Sequence, residues 1–238
     1  RTPYVVMCLV VLTFLVIFAV SKLPKTGSDK HVHFFETLGR LFRNWRYLGG
    51  VVAQTFYVGA QIMCWTYIIH YAMTNLKMDA ATAQNYNIMA MIIFCSSRFI
   101  CTYMLKYVSP SHLLLVLALG GIGLTGGAIF IKGMTGLYRL IGISGCVSLM
   151  FPTIYGIARD GMGEDAKLAS AGLIFAIVGG ALMPPLQGWS IDMKDFTFGS
   201  MTLESVRVSF VLPLICFIVI ALYGWVVAAF QPKTIKAS

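Results

Sequence analysis

Apolar residues along this chain arrive in long blocks and not in alternation. Seven runs, near 3–20, 51–73, 87–107, 113–131, 136–158, 170–191 and 210–230, are apolar on every side. A bilayer core about 30 Å thick needs about 20 such residues in an α-helix, and the runs approach that length. Membrane strands would appear as segments of about ten residues with alternating polarity, a pattern absent here. The blocks predict an all-α membrane protein, a polytopic helical bundle of about seven transmembrane helices.

The polar positions divide the chain. Residues 21–50 form the longest polar stretch, with Lys22, Lys25, Lys30, Arg40, Arg43 and Arg46. Within 33–47, Phe34, Phe35, Leu38, Leu41, Phe42 and Trp45 recur at helical spacing, which predicts an amphipathic helix lying on the membrane surface. The expected organisation is a first span at 1–20, a basic cytoplasmic linker at 21–50, a six-helix unit at 51–230 and a cytoplasmic tail at 231–238. The chain opens on Arg1 and not on Met, and we read it as part of a longer protein.

Composition agrees with the blocks. Of 238 residues, 58% are hydrophobic and 11% charged, against about 25% charged in soluble domains; mean hydropathy is +0.80. The net charge of +9 does not mark a nucleic-acid binder, because the basic residues sit between apolar runs and form no continuous patch. With the basic linker in the cytoplasm, that side collects Lys22, Lys25, Lys30, Arg40, Arg43, Arg46, Lys106, Arg159, Lys167, Lys233 and Lys236. The other side holds Arg1, Lys77, Lys132, Lys194 and Arg207, a bias in the positive-inside sense that puts the C-terminus in the cytoplasm. The cysteines Cys8, Cys64, Cys95, Cys101, Cys146 and Cys216 lie in apolar runs with no C-x-x-C pair and no His at ligand spacing, so no metal site is predicted.

One span, a long basic linker and six further spans is what remains of a twelve-span protein that enters at its sixth helix, the plan of the major facilitator superfamily. Four segments carry a closer likeness. They are Tyr57-Val-Gly-Ala-Gln61-Ile-Met-Cys-Trp65, Ser97-Arg98-Phe99 with Lys106-Tyr-Val-Ser-Pro110, Met150-Phe-Pro152-Thr153-Ile-Tyr155, and Gly179-Gly180-Ala-Leu-Met-Pro184-Pro185. In that order they resemble the fucose permease group of the superfamily, whose members carry L-fucose with protons or transport glucose and galactose. The first segment is worded most like the fucose members. Ser97 stands where relatives usually have Gly, and both are small.

The resemblance implies the C-terminal half of a twelve-helix transporter, with the N-terminal half as partner in the same protein. It implies proton-coupled uptake of a monosaccharide, L-fucose favoured, by alternating access in a bacterial inner membrane. Another hexose, or sodium coupling, is the alternative on the same scaffold.

Several residues are candidates for that chemistry. Tyr57, Gln61 and Trp65 are spaced i, i+4, i+8 and share one helix face. An amide, a phenol and an indole inside a membrane call for a polar partner. A sugar supplies hydroxyls and an apolar ring face; interhelical hydrogen bonding and packing are the alternative. Asn85 either caps the next span or reaches the sugar, and Tyr155 is a further contact candidate. Arg98 is a fixed charge within a span. Its place in the family motif implies a gate, with Asp160, Glu164, Asp165 or a carboxylate of the N-terminal half as partner; the alternative is a cation reaching the interface. Pro152, Pro184 and Pro185 remove helix donors and mark bending points. His70 is expected at an interface. Gly121-Ile-Gly123-Leu-Thr-Gly126 matches a dinucleotide fingerprint but follows no strand, so it is read, with Gly142, Gly145, Gly179 and Gly180, as a place where helices approach closely.

The acids Asp29, Glu36, Asp79, Asp160, Glu164, Asp165, Asp192, Asp195 and Glu204 all fall in loops or at span ends. Proton coupling wants a carboxylate within a span, so the coupling site is expected in the N-terminal half, and no cofactor beyond the proton is implied. An intramembrane enzyme would need paired acids, H-E-x-x-H or a Ser with a base inside spans. A channel would need a ring of charge or carbonyls. Neither pattern is present in this sequence.

Overall fold

The computed structural model describes residues 2–20, 34–131, 133–191, 196–198, 201–203 and 205–230. The linker residues 21–33, the tail 231–238, and Lys132, Asp192, Lys194, Asp195 and Glu204 lie outside them. The chain separates into two units, residues 1–34 and 35–238. The first contains α1 (Thr2–Val20), apolar round its circumference. Its Thr13 hydroxyl donates back to the Leu9 carbonyl at 2.8 Å, so this polar group is satisfied within the helix.

The second unit is a helical bundle. A short α2 (Phe34–Arg43) leads through Asn44 into α3 (Trp45–Asn75), followed by α4 (Ala80–Met104) and α5 (Pro110–Phe130). Two broken rods come next. One is α6 (Met134–Val147) with α7 (Met150–Arg159), and the other is α8 (Ala166–Phe175) with α9 (Gly179–Ile191), joined by a 3₁₀ turn at Ala176–Val178. The last rod is α10 (Ser205–Val208) followed by α11 (Val211–Phe230). Among the described residues, five stretches are long and apolar enough to cross a bilayer: Ala80–Met104, Pro110–Phe130, Met134–Arg159, Ala166–Ile191 and Ser205–Phe230. Helix α3 is longer, at 31 residues, but it also carries Gln54, Gln61 and four tyrosines.

That polarity has a structural use, because α3 is the hub. It touches α4, α6, α7, α8, α9, α10 and α11, and Tyr57, Met63, Ile68 and Tyr71 along it are buried in the main core with Leu114, Leu137, Phe210 and Phe217. Close approach to α9 is made by glycine. A Cβ on Gly179 would run into the backbone carbonyl of Thr55, and one on Gly180 would meet Val58 and Ile62. Gly121 and Gly145 also stand close to neighbours, since a Cβ there would meet Phe217 at 2.9 Å and Ser97 Oγ at 3.1 Å, whereas the remaining expected contacts are looser. Gly142 has room for a Cβ at 3.4 Å from Leu124, and Gly123 and Gly126 face open space.

A second, smaller cluster joins Leu41 of α2 to Tyr47, Ala158, Ala169 and Leu173. Thr37 and Leu41 are the inward face of α2, which occupies part of the expected 33–47 stretch and ends at Arg43, so that Trp45 opens α3 instead. Arg40 clasps α2 to the α7–α8 turn, donating Nε to Asp165 Oδ2 at 3.0 Å and Nη2 to Oδ1 at 2.8 Å. Asn44 then caps α3, its Oδ1 accepting from the Arg46 and Tyr47 amides at 3.1 and 3.4 Å.

Three expectations change. Helix α4 starts at Ala80 and is capped by Asp79, which accepts from the Thr82 amide at 3.2 Å; Asn85 therefore lies inside the helix and caps nothing. Hydropathy finds only the hydrocarbon part of a helix and misses polar turns beyond it. Arg207, expected among loop charges, is 1% exposed, with Nη2 donating to the Ile129 carbonyl, because the turn α10 folds in against the end of α5. A short antiparallel hairpin, β1 (Phe196–Phe198) with β2 (Met201–Leu203), pairs Phe196 with Leu203 where no strand was foreseen.

Two outcomes follow from these contacts. Gly179→Leu forces α9 off the Thr55 carbonyl and should cost roughly 1–3 kcal/mol, read as a lower Tm of the purified protein in detergent. The Asp165 carboxyl is held below the usual carboxylate range by the Arg40 hydrogen bonds. Its contribution is therefore complete above the unfolded value of about 3.9 and is lost as pH falls through the lower folded value. The pair is solvent-screened, so the effect is small, below about 1 kcal/mol. Amide exchange in α2, corrected for intrinsic rates, should be flat from about pH 7 to 5 and rise below about 4, and Asp165→Asn should reproduce the rise at neutral pH.

Candidate functional site

One face of α3 runs along α6 and α7. Gly50 abuts Ala158, Tyr57 meets Val147 and Phe151, and Trp65 meets Ser144. Gln54 and Gln61 fall on the same face by spacing.

Tyr57 is 1% exposed, and its hydroxyl donates to the Val147 carbonyl at 2.9 Å. Val147 is the last residue of α6, where the rod breaks at Ser148 and Leu149. Pro152 stands in the first turn of α7, so the donor it lacks is the one that would have bridged the break to Ser148. Tyr57 is thus enclosed in this structure, and its hydroxyl serves a carbonyl at the interruption. Pro152 marks a break and not a mid-helix bend.

Gln61 is half-buried, and no hydrogen bond engages its amide among the described residues. Trp65 is also half-buried, with its indole fixed on two sides. Nε1 donates to Ser144 Oγ at 3.2 Å, and Phe94 of α4 meets the ring edge-on at 5.0 Å between centroids. Arg98 extends over the other side of this array, its guanidinium carbon 5.9 Å from the Phe94 ring. Trp65, Phe94 and Arg98 form one contiguous series from α3 across α4.

Arg98 is exposed and lines an open concavity of about 550 Å³ with Cys95, Phe99, Thr102, Tyr103 and Lys106. Two of its candidate acidic partners are engaged elsewhere. Asp165 is clasped by Arg40, and Asp160 lies 3.5 Å from Arg46, a Coulomb contact without hydrogen-bond geometry; the Glu164 side chain lies outside the described residues. Asn85 is exposed on α4. Tyr155 packs on the Leu41–Tyr47 cluster and does not join Gln61 and Trp65. Pro184 and Pro185 lie inside α9 and cannot donate to the Gly180 and Ala181 carbonyls. The Pro184 carbonyl accepts the Tyr67 hydroxyl at 3.2 Å.

Three residues were not singled out from the sequence. Ser144 and Phe94 fix the Trp65 indole. Gln54 is fully buried with neither amide atom hydrogen-bonded. Only Gln54 left a signal, its seven-residue spacing from Gln61; Ser144 and Phe94 come from other helices. Among the described residues no group of His, Cys, Asp and Glu could hold a metal ion.

No family model matches the chain. It is 48% identical over 227 residues to the L-fucose-proton symporter of Haemophilus influenzae and 31% identical over 232 residues to that of Escherichia coli. A putative glucose/galactose transporter of Helicobacter pylori is 28% identical. Each alignment covers 94% of this chain, while the chain spans about half the length of these relatives, 50 to 53%. Among solved structures, the major facilitator superfamily transporter FucP in its outward conformation superposes with a TM-score of 0.81 at 30% identity, over 95% of this chain and 54% of that one. Along nearly its whole length the chain is similar to L-fucose-proton symporters and to one half of a major facilitator superfamily transporter. It is a multi-pass membrane protein whose bundle is part of a major facilitator fold, and the named relatives are transporters, not enzymes.

In this fold the Tyr57 hydroxyl answers a carbonyl with no water at hand. Tyr57→Phe should cost about 1–3 kcal/mol, measured as a fall in Tm, whereas Tyr155→Phe, whose ring keeps its packing, should leave Tm nearly unchanged.

Proposed function

We propose that this chain is the C-terminal half of a secondary transporter that takes up a monosaccharide, L-fucose favoured, with protons by alternating access. What carries the reading is the 48% identity, along 94% of the chain, to a protein named as an L-fucose-proton symporter. The half-buried face of α3 fits the role. Gln61 offers a donor and an acceptor together, and Trp65, held by Ser144 and Phe94, presents an aromatic face for sugar C–H groups. Arg98, on its concavity, is the gating cation and finds its counter-charge in the N-terminal half. The break beside Pro152 and the donor-poor stretch at Pro184–Pro185 within α9 are where the helices flex between states.

The proton site lies outside this segment, since its acids flank the spans, and coupling belongs to carboxylates of the N-terminal half. The orientation puts α2 and the C-terminus in the cytoplasm of a bacterial cell, with the spans in the inner membrane. A hexose other than fucose is the second reading, favoured by the 28% identity to a putative glucose/galactose transporter.

The test is uptake of labelled sugar by the full-length protein in proteoliposomes. L-fucose should accumulate under an imposed proton gradient and not under sodium alone. Preference for glucose, or stimulation by sodium only, would reject the proposal. Gln61→Ala should raise the KM for uptake roughly tenfold, the equivalent of one or two lost neutral hydrogen bonds, with protein level and Tm retained.

A further inference from the structure

The elbow between α2 and α3 has two unlike sides. Inward, Thr37 and Leu41 are buried. Outward, Phe42 and Trp45 are 62% and 48% exposed, and Leu48 continues the apolar surface one turn into α3. Trp45 meets Phe230, the last residue of α11, edge-on at 5.8 Å, and Phe230 is itself 73% exposed. Aromatic rings gathered at one end of a membrane bundle mark the level of the lipid headgroups. Three arginines lie at this elbow, in different electrostatic states. Arg40 is neutralised by Asp165 and Arg46 stands against Asp160. Arg43, at the end of α2, is exposed and has no ion pair among the described residues.

A planar guanidinium at headgroup depth, with two donors free to fork onto a phosphate and an apolar ramp leading toward the hydrocarbon, is complementary to one chemistry. We propose that the α2–α3 elbow is a binding site for an anionic glycerophospholipid. Arg43 takes the phosphate, Trp45 and Phe42 bracket the glycerol region, and the acyl chains lie along Leu48 and Phe230. A zwitterionic lipid fits less well, because its own ammonium competes for the phosphate. The site is separate from the sugar-facing residues, so the inference does not depend on which sugar is carried.

Native mass spectrometry of the full-length protein, released from detergent with added phosphatidylglycerol or phosphatidylcholine, tests it. Phosphatidylglycerol should be retained preferentially, and Arg43→Gln should weaken its retention roughly fivefold, the share of one basic side chain near an anionic surface. Arg159→Gln, an exposed cation at the end of α7, should leave retention unchanged. Trp45→Ala should weaken it with Tm preserved. Equal retention of the two lipids, or equal losses in Arg43→Gln and Arg159→Gln, would overturn the site. Sugar uptake can fail or succeed without altering this readout.

Discussion

Inside a bilayer a buried hydroxyl has no water to bond, and the tyrosines of this bundle are placed under that constraint. Its rods break, at Ser148–Leu149 and in the Ala176–Val178 turn, and consecutive prolines strip donors from α9. Four carbonyls on the surrounding helices, one of them at the Ser148–Leu149 break, are met by phenols carried on α3. Tyr57 reaches Val147, Tyr67 reaches Pro184, Tyr71 reaches the Gly133 carbonyl ahead of α6, and Tyr47 reaches Ala169 of α8. Each bond contributes about 1 kcal/mol net, yet each vacancy would cost more than that. The tyrosines of the long polar helix are therefore matched to acceptors on the helices packed round it.

The same dependence explains why α3 sits at the centre despite being less apolar than its neighbours. A tyrosine buries a large ring and still carries a hydroxyl donor at its tip. Glycine lets the α9 backbone come close enough for such a tip to reach. Where a Gly faces open space, as at Gly123, no phenol is found among its contacts.

Much of the fold was legible because lipid punishes exposed polar backbone, which leaves long apolar blocks as the record of each span. Helix ends were less so. Asp79 caps α4 from beyond the hydrocarbon, and Trp45 starts α3 well before the apolar run does. The site was legible in part. The i, i+4, i+8 spacing brought Tyr57, Gln61 and Trp65 to one face, but it could not tell a ring enclosed against α6 from one left half-open. That difference is decided by residues distant in sequence, such as Val147 and Ser144. Arg98 was found by its charge; its neighbour Phe94 was not, since an aromatic residue in a membrane helix carries no such mark.

Phe94 is shared. It meets the Trp65 indole in a T-shaped contact and also lies beneath the Arg98 guanidinium. A side chain with no polar atom thus stands between two that have them, and its bulk fixes the spacing between the indole and the cation.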